Sequence, residues 1–271
     1  MENNKIIITG GSSGMGFSLA EKWIKDGNTI GLIARNETKL LEAKMRLSSI
    51  NPKVEVYSVA ADVSDENQIS KAIVELAEKM NGIDVLFNSA GILNSNYFEN
   101  FSIEDFKSTM DINFYGTLYS IKSALPYLKK SKGKIINMSS LSGLQGVFGS
   151  APYVSSKFAL TGLTRTLRME LKPQGITVQM VCPSEFDSPM LLSIANEQRP
   201  IENKTFTGMI PQYSLNEMTE LIYKGLKTNK FLIIPGFMAF ITQKMVDIFP
   251  GISNFTIDKT IKKIYKGPKN I

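Results

Sequence analysis

A chain of 271 residues that is 43% hydrophobic and 21% charged has the composition of an ordinary soluble globular protein, with apolar material enough for one sizeable α/β domain. One cysteine and no histidine exclude an intrachain disulfide framework and leave no basis for a zinc site, so no metal is expected. The net charge of +6 suits anionic partners such as phosphate-bearing cofactors, acidic carrier proteins or lipid headgroups, and suits plain lysine-rich solubility equally well; the basic residues are too dispersed for a nucleic-acid interface.

The opening "MENNKIIITGG" leaves no room for the apolar region of a signal peptide, and no apolar run reaches the roughly 18 residues of a membrane span. A reducing, cytoplasmic setting is expected. From there short apolar runs alternate with amphipathic segments. "KIIIT" precedes a helical pattern over Phe17–Asp26, "TIGLIA" one over Glu37–Ser49, "VEVYSVA" one over Asp65–Met80, "DVLFN" one over Ile103–Lys130, and "GKIINMS" one over Tyr153–Leu171. "ITVQMVC" and a late "KFLIIPG" complete seven candidate strands. Their continuous apolar character predicts a doubly wound, seven-stranded parallel sheet covered by helices on both faces, in a single domain spanning 1–271. Within it, 1–182 reads as core, 183–230 as a substrate loop and helix, and 231–271 as an apolar and basic extension. After Pro183 about thirty irregular residues precede a helix near Leu215; a loop that long in such a fold is expected to be a lid or binding loop.

The first strand-to-helix junction reads "TGGSSGMG". There Gly10 permits a tight turn, Gly14 lets backbone approach a pyrophosphate and Gly16 permits close helix packing, while Ser12, Ser13 and Met15 surround the phosphates at a helix N-terminus. At the end of the second strand, Ala34 stands where an NAD site carries an acid, and Arg35 with Lys39 one turn later supplies charge for a 2′-phosphate. The expected cofactor is therefore NADP(H). Beyond the third strand Asp62 and Val63 are placed for the adenine, although either Asp62 or Asp65 could instead cap the next helix. Asn88, Ala90 and Gly91 in "NSAG" bring backbone to the cofactor.

In "APYVSSKFAL", Tyr153 and Lys157 stand four residues apart and share one helix face. With no histidine to move protons, the phenol is the expected acid, its pKa drawn from ~10 toward neutrality by the ammonium and by an oxidised, cationic nicotinamide. Ser140, ending the fifth strand, is placed to hydrogen-bond a substrate oxygen, with Ser139 its rival.

These residues, Thr9-Gly10-x-x-x-Gly14-x-Gly16, Asn88 to Gly91, Asn113, Ser140 and Tyr153-x-x-x-Lys157, resemble the motif set of short-chain dehydrogenases/reductases in order and spacing over about the first 190 residues. The resemblance implies a Rossmann-type fold, a nicotinamide cofactor, hydride exchange with a carbonyl or alcohol, and dimers or tetramers formed through the helices starting near Ile103 and Tyr153. It also implies that Asn113 holds a water linking the lysine to solvent. After the sixth strand the chain departs from the frequent Pro-Gly, carrying Ser184 after Pro183, with Ser188 still placed to meet the nicotinamide carboxamide.

A narrower likeness, in "ARNETKLLEAK", "GVFGSAPYVSSKFAL" and "PSEFDSPM…NEQRP", is to the 3-ketodihydrosphingosine reductases, implying a long-chain lipid ketone as substrate. A 3-oxoacyl thioester reductase, or an NADP-binding regulator, would draw on the same residues. The Phe-, Ile- and Met-rich stretch from Lys230 to Phe255, followed by "TIDKTIKKIYKGPK", fits an acyl tunnel or peripheral membrane contact, and fits equally a cover for the sheet or a subunit interface.

Overall fold

A computed structural model describes residues 3–194 and 199–266. Seven strands form one parallel sheet: β1 (Lys5–Thr9), β2 (Thr29–Ala34), β3 (Val56–Ala60), β4 (Val85–Asn88), β5 (Lys134–Met138), β6 (Thr177–Val181) and the two-residue β7 (Leu232–Ile233). Their order is β3-β2-β1-β4-β5-β6-β7. The order reverses between β1 and β4, and in open α/β sheets ligands bind in the crevice outside the strand C-termini at such a point.

Alternation along the strands divides the core. Ile6 and Ile8 pack with Trp23 and Ile24 of α1 (Gly14–Lys25) beneath α2 (Glu37–Ile50), while Ile7 faces Ile69, Ile73 and Leu76 of α3 (Glu66–Lys79) on the other side. Trp23 meets Phe87 edge to face at 5.4 Å, a geometry aromatic quadrupoles favour.

Several expected boundaries move, most by one or two residues. Helix α1 starts at Gly14 instead of Phe17, because Gly14 takes φ +54° and the chain enters the helix straight from the turn. The single helix expected over Ile103–Lys130 is divided into α4 (Ile103–Met110), a π-helical turn (Asp111–Tyr115) and α5 (Gly116–Ser131). The period of apolar residues runs through the break, so the sequence pattern does not reveal it. The irregular region after Pro183 contains two short helices, α7 (Pro189–Leu192) and α8 (Ile201–Thr207), once α6 (Ala151–Leu171) is counted. The expected helix near Leu215 is α9 (Leu215–Leu226), fastened by a capping box between Ser214 and Glu217. Two further helices, α10 (Phe237–Ile248) and α11 (Pro250–Lys266), follow β7. Asn196, Glu197 and Gln198 of the "NEQRP" likeness, and the chain beyond Lys266, lie outside the described residues.

Candidate active site

The turn after β1 is held by Gly10 and Gly11 N–H groups donating to the Ile33 carbonyl, at 2.8 and 3.2 Å. Gly10 takes φ +70°, and a Cβ there would sit 2.8 Å from the Ala90 backbone; a Cβ on Gly16 would sit 2.4 Å from the Gly10 carbonyl oxygen. Helix α1 therefore seats directly on the turn. Ser13, the N-cap, makes no side-chain cap bond, so the first N–H groups of α1 face outward with the helix dipole behind them. A Cβ on Gly14 would meet nothing nearer than Pro189 Cδ, 3.6 Å away, so the space beside this turn is open. That combination fits a pyrophosphate. Ser12 is half-buried beside it. The Met15 side chain is buried in the core, with the Thr219 hydroxyl 3.5 Å from its sulfur, which leaves its backbone to face the turn.

Arg35 and Lys39 are both exposed beyond β2, and Arg35 Nη1 lies 3.5 Å from Asp62 Oδ2. Geometry shows which of the two aspartates caps the next helix. Asp65 caps α3, accepting from the Asn67 and Gln68 N–H groups, whereas Asp62 accepts from the Ser64 amide and hydroxyl at 2.9 and 2.6 Å. Burial pushes the Asp62 carboxyl up, but those bonds and the Arg35 guanidinium outweigh it and leave its pKa lowered. Val63 is buried, and a Cβ on Gly116 would meet its side chain at 2.9 Å.

Asn88 turns its side chain inward: its amide donates to Asn137 Oδ1 at 2.9 Å, and Asn137 donates on to Thr164 of α6, so the side chain ties sheet to helix and leaves the backbone of this segment for the cavity. Ser89, Ala90 and Gly91 line the cavity.

Asn113 sits fully buried in the π-helical turn. It accepts the Ile92 N–H at 2.8 Å and donates to the Ile92 carbonyl and the Ser156 hydroxyl, each at 3.0 Å. Both side-chain donors are therefore spent on protein, and the side chain ties the segment after β4 to α6. Gly91 must be small: a Cβ there would approach Asn113 Oδ1 to 3.0 Å and Lys157 Nζ to 3.8 Å.

Ser139 points into the protein, bonded to Thr161, while the Ser140 hydroxyl hydrogen-bonds the Tyr153 hydroxyl. Lys157 is buried, 5% exposed, and donates to the Met138 carbonyl at 2.9 Å. The expected neutral phenol pKa does not hold for the protein alone. Burial pushes Tyr153 up to about 12, against the opposing Ser140 hydrogen bond, and brings Lys157 down to about 8. The ammonium lies over the tyrosine ring and not at its hydroxyl, so desolvation wins over charge. Cys182 behind this group is buried, and burial raises its thiol to about 12.

Tyr153, Ser140 and Lys157 open into a cavity of about 1350 Å³. Pro183 and Ser188 line it, the latter capping α7 through a bond from the Leu191 N–H at 3.1 Å. Met245, Phe249, Ile252 and Ile257 of the C-terminal helices form its far wall. Sequence reading missed Glu185 and Arg199, which also line the cavity and pair with each other. Their signal was an acid and a base flanking one irregular segment, which spacing alone does not join.

The profile of the family described as short chain dehydrogenase matches residues 4–199. The chain belongs to that family. This short-chain dehydrogenase is 39% identical over 203 residues to the 3-ketodihydrosphingosine reductase of Mus musculus, covering 73% of this chain and 61% of that protein. It is 38% identical over 230 residues to the enzyme of the same name from Bos taurus, covering 83% and 69%. The chain thus spans about three fifths of the length of the murine relative. In fold it is similar to levodione reductase (TM-score 0.78, 24% identity, 86% and 95% covered). A Burkholderia phymatum short-chain dehydrogenase in complex with NAD gives TM-score 0.80 at 20% identity, with 93% and 95% covered. An alcohol dehydrogenase from Thermococcus sibiricus complexed with 5-hydroxy-NADP gives 0.73 at 23%, with 85% and 95% covered.

Proposed function

We propose that this short-chain dehydrogenase is an NADPH-dependent reductase of a long-chain lipid ketone of the 3-ketodihydrosphingosine type. The observation that carries the reading is the meeting of Tyr153, Ser140 and Lys157 at one end of a large, mainly apolar cavity that continues past the glycine turn to α10 and α11. The relatives named above support the substrate class, and Arg35 with Lys39 beyond an acid-free β2 supports the 2′-phosphate. Asp62 serves the adenine through whichever lone pairs Ser64 and Arg35 leave.

The glycine turn at Gly10 to Gly16 would hold a nicotinamide cofactor, which in its reduced form would supply hydride to the carbonyl carbon. Tyr153 gives its phenolic proton to the carbonyl oxygen, and Ser140 donates a hydrogen bond to that oxygen as charge develops. Lys157, with one N–H committed to Met138, offers the remaining two toward the tyrosine and the cofactor and stabilises the phenolate left behind. Asn113 acts as a positioning residue, linking Ile92 to Ser156, the residue before Lys157. Ser188 would hold the carboxamide.

The described helices include none long and apolar enough to cross a membrane. Peripheral contact is part of the proposal, because Phe237, Phe240, Ile241, Lys244 and Ile248 fall at one face of α10 and the four apolar ones are exposed. Exposed Ile103, Phe158 and Met169 on α4 and α6 suit a dimer or tetramer interface, which light scattering in solution tests. The deciding experiment follows NADPH oxidation with 3-ketodihydrosphingosine, an acetoacetyl thioester and a simple aryl ketone side by side. The reading expects at least tenfold higher kcat/KM for the first; preference for the thioester overturns it.

A further inference from the structure

Among the described residues, only three charged side chains line the cavity: Lys157, Glu185 and Arg199. Glu185 is thus the one carboxylate that the described residues bring to it. It lies three residues past Cys182, on the segment that Pro183 ties to the active-site serine loop, since the Pro183 carbonyl accepts the Leu141 N–H at 3.0 Å. Arg199 donates to Glu185 Oε2, to Asn203 Oδ1 at 2.5 Å and to Thr207 Oγ1 at 2.9 Å. Asn203 in turn donates to the Phe148 carbonyl at 2.6 Å and to the Ser150 hydroxyl at 3.3 Å. The arginine is therefore a brace that fixes the carboxylate from α8 and from the loop before α6. Glu185 Oε1 has no partner among the described residues, and an ionised carboxylate accepts at both oxygens.

The residue before Glu185, Ser184, also lines the cavity, but its hydroxyl is buried without a partner among the described residues and does not reach the cavity surface, so the carboxylate is the polar group offered here. The wall toward α10 and α11 is mainly apolar, its polar members Thr242, Ser253, Asn254 and Thr256 carrying no charge.

We infer that Glu185 forms a subsite for a polar head bearing an ammonium next to the ketone, the free carboxylate oxygen taking the ammonium. This rests on the proposed reading of the site as a lipid-ketone reductase and adds the determinant that separates an amino ketone from a thioester or a neutral ketone. An ammonium bound to Oε1 forms a charge-assisted hydrogen bond in a poorly solvated cavity, where loss of the carboxylate's charge is felt strongly.

The test compares 3-ketodihydrosphingosine with a ketone of equal chain length that lacks the amine, in wild type, Glu185→Gln and the double variant Glu185→Gln/Arg199→Gln. The double variant removes both charges and so leaves no unpaired guanidinium. Expected is a loss of at least tenfold in kcat/KM for the amino ketone and less than threefold for the amine-free one in both variants. In parallel, the reduced product, a long-chain amino diol, is expected to raise the melting temperature of wild type and not of Glu185→Gln. Equal losses on both ketones, or no loss, overturn the subsite and leave Glu185 as a brace for α8. If wild type itself shows no preference for the amino ketone, the substrate reading fails and the subsite with it; if that preference exists and survives in Glu185→Gln, the subsite alone fails.

Discussion

The Lys157 ammonium lies over the Tyr153 ring, 5.5 Å from its centroid, and gives a hydrogen bond to the Met138 carbonyl while making none to the phenolic hydroxyl. Both groups are therefore held in their neutral forms over a wider range than in water. For Lys157 the sign follows from linkage. Its pKa of about 8 lies below the unfolded value, so folding pays for a buried charge below pH 8, and that cost is relieved as pH rises toward 10.5. In the cofactor-free protein, the stability of wild type relative to Lys157→Met is expected to improve by about 3 kcal/mol across this interval. Denaturant melts at pH 7.5, 9 and 10.5 measure it; a difference that is flat with pH would show the ammonium to be solvated.

Tyr153→Phe removes the proton donor and nothing else of comparable size. Turnover of the ketone is expected to fall by at least a hundredfold, with NADPH affinity within a few-fold of wild type. A variant that keeps its turnover would remove tyrosine from the mechanism. A variant that loses turnover but keeps the biological effect would favour a regulator over an enzyme.

Arg35 and Lys39 are exposed at the end of β2, so removing them does not disturb the core. The double change Arg35→Ala/Lys39→Ala is expected to lower the NADPH to NADH preference in kcat/KM by tenfold or more, because charge-assisted bonds to a phosphate are each worth about 1.5–3 kcal/mol. An unchanged ratio would mean that the 2′-phosphate is met elsewhere.

Two glycines give opposite expectations. Gly16→Ala places a methyl group 2.4 Å from the Gly10 carbonyl, which forces α1 off the turn; a loss of about 1–3 kcal/mol and weaker cofactor binding are expected. Gly162, exposed within α6, has nothing within 4 Å of its Cβ position, so Gly162→Ala is expected to stabilise by about 0.5–1 kcal/mol. Thermal melts and NADPH titrations read both.

The α10–α11 hairpin exposes Phe237 at 75%, Ile248 at 63% and Phe255 at 68%, and carries five lysines against two aspartates. Flotation with vesicles containing phosphatidylglycerol is expected to recover the protein, less at 0.5 M salt and at least tenfold less for Phe237→Glu/Phe240→Glu. These two side chains do not line the cavity, so turnover of a water-soluble ketone is expected to stay unchanged in that variant. Failure of wild type to float would end the membrane reading and direct attention to a second copy.

Much of this molecule is legible in local pattern. Continuous apolar runs such as Ile6 to Ile8 mark strands covered on both faces, the glycines of the first turn mark where backbone must pass close to backbone, and Tyr153 with Lys157 at one-turn spacing share a helix face whatever surrounds them. Each depends on residues a few positions apart, where chain geometry leaves little choice. What lay beyond that reach needed the folded chain. Asn88 turns to Asn137, forty-nine residues away; Asn113 spends its amide on Ile92 and Ser156; Lys157 loses its water; and Glu185 finds Arg199 across fourteen residues, part of them outside the described chain. These are matters of desolvation and of buried polar groups finding partners. Both depend on which distant segments close over a side chain, and no periodicity in the sequence carries that information.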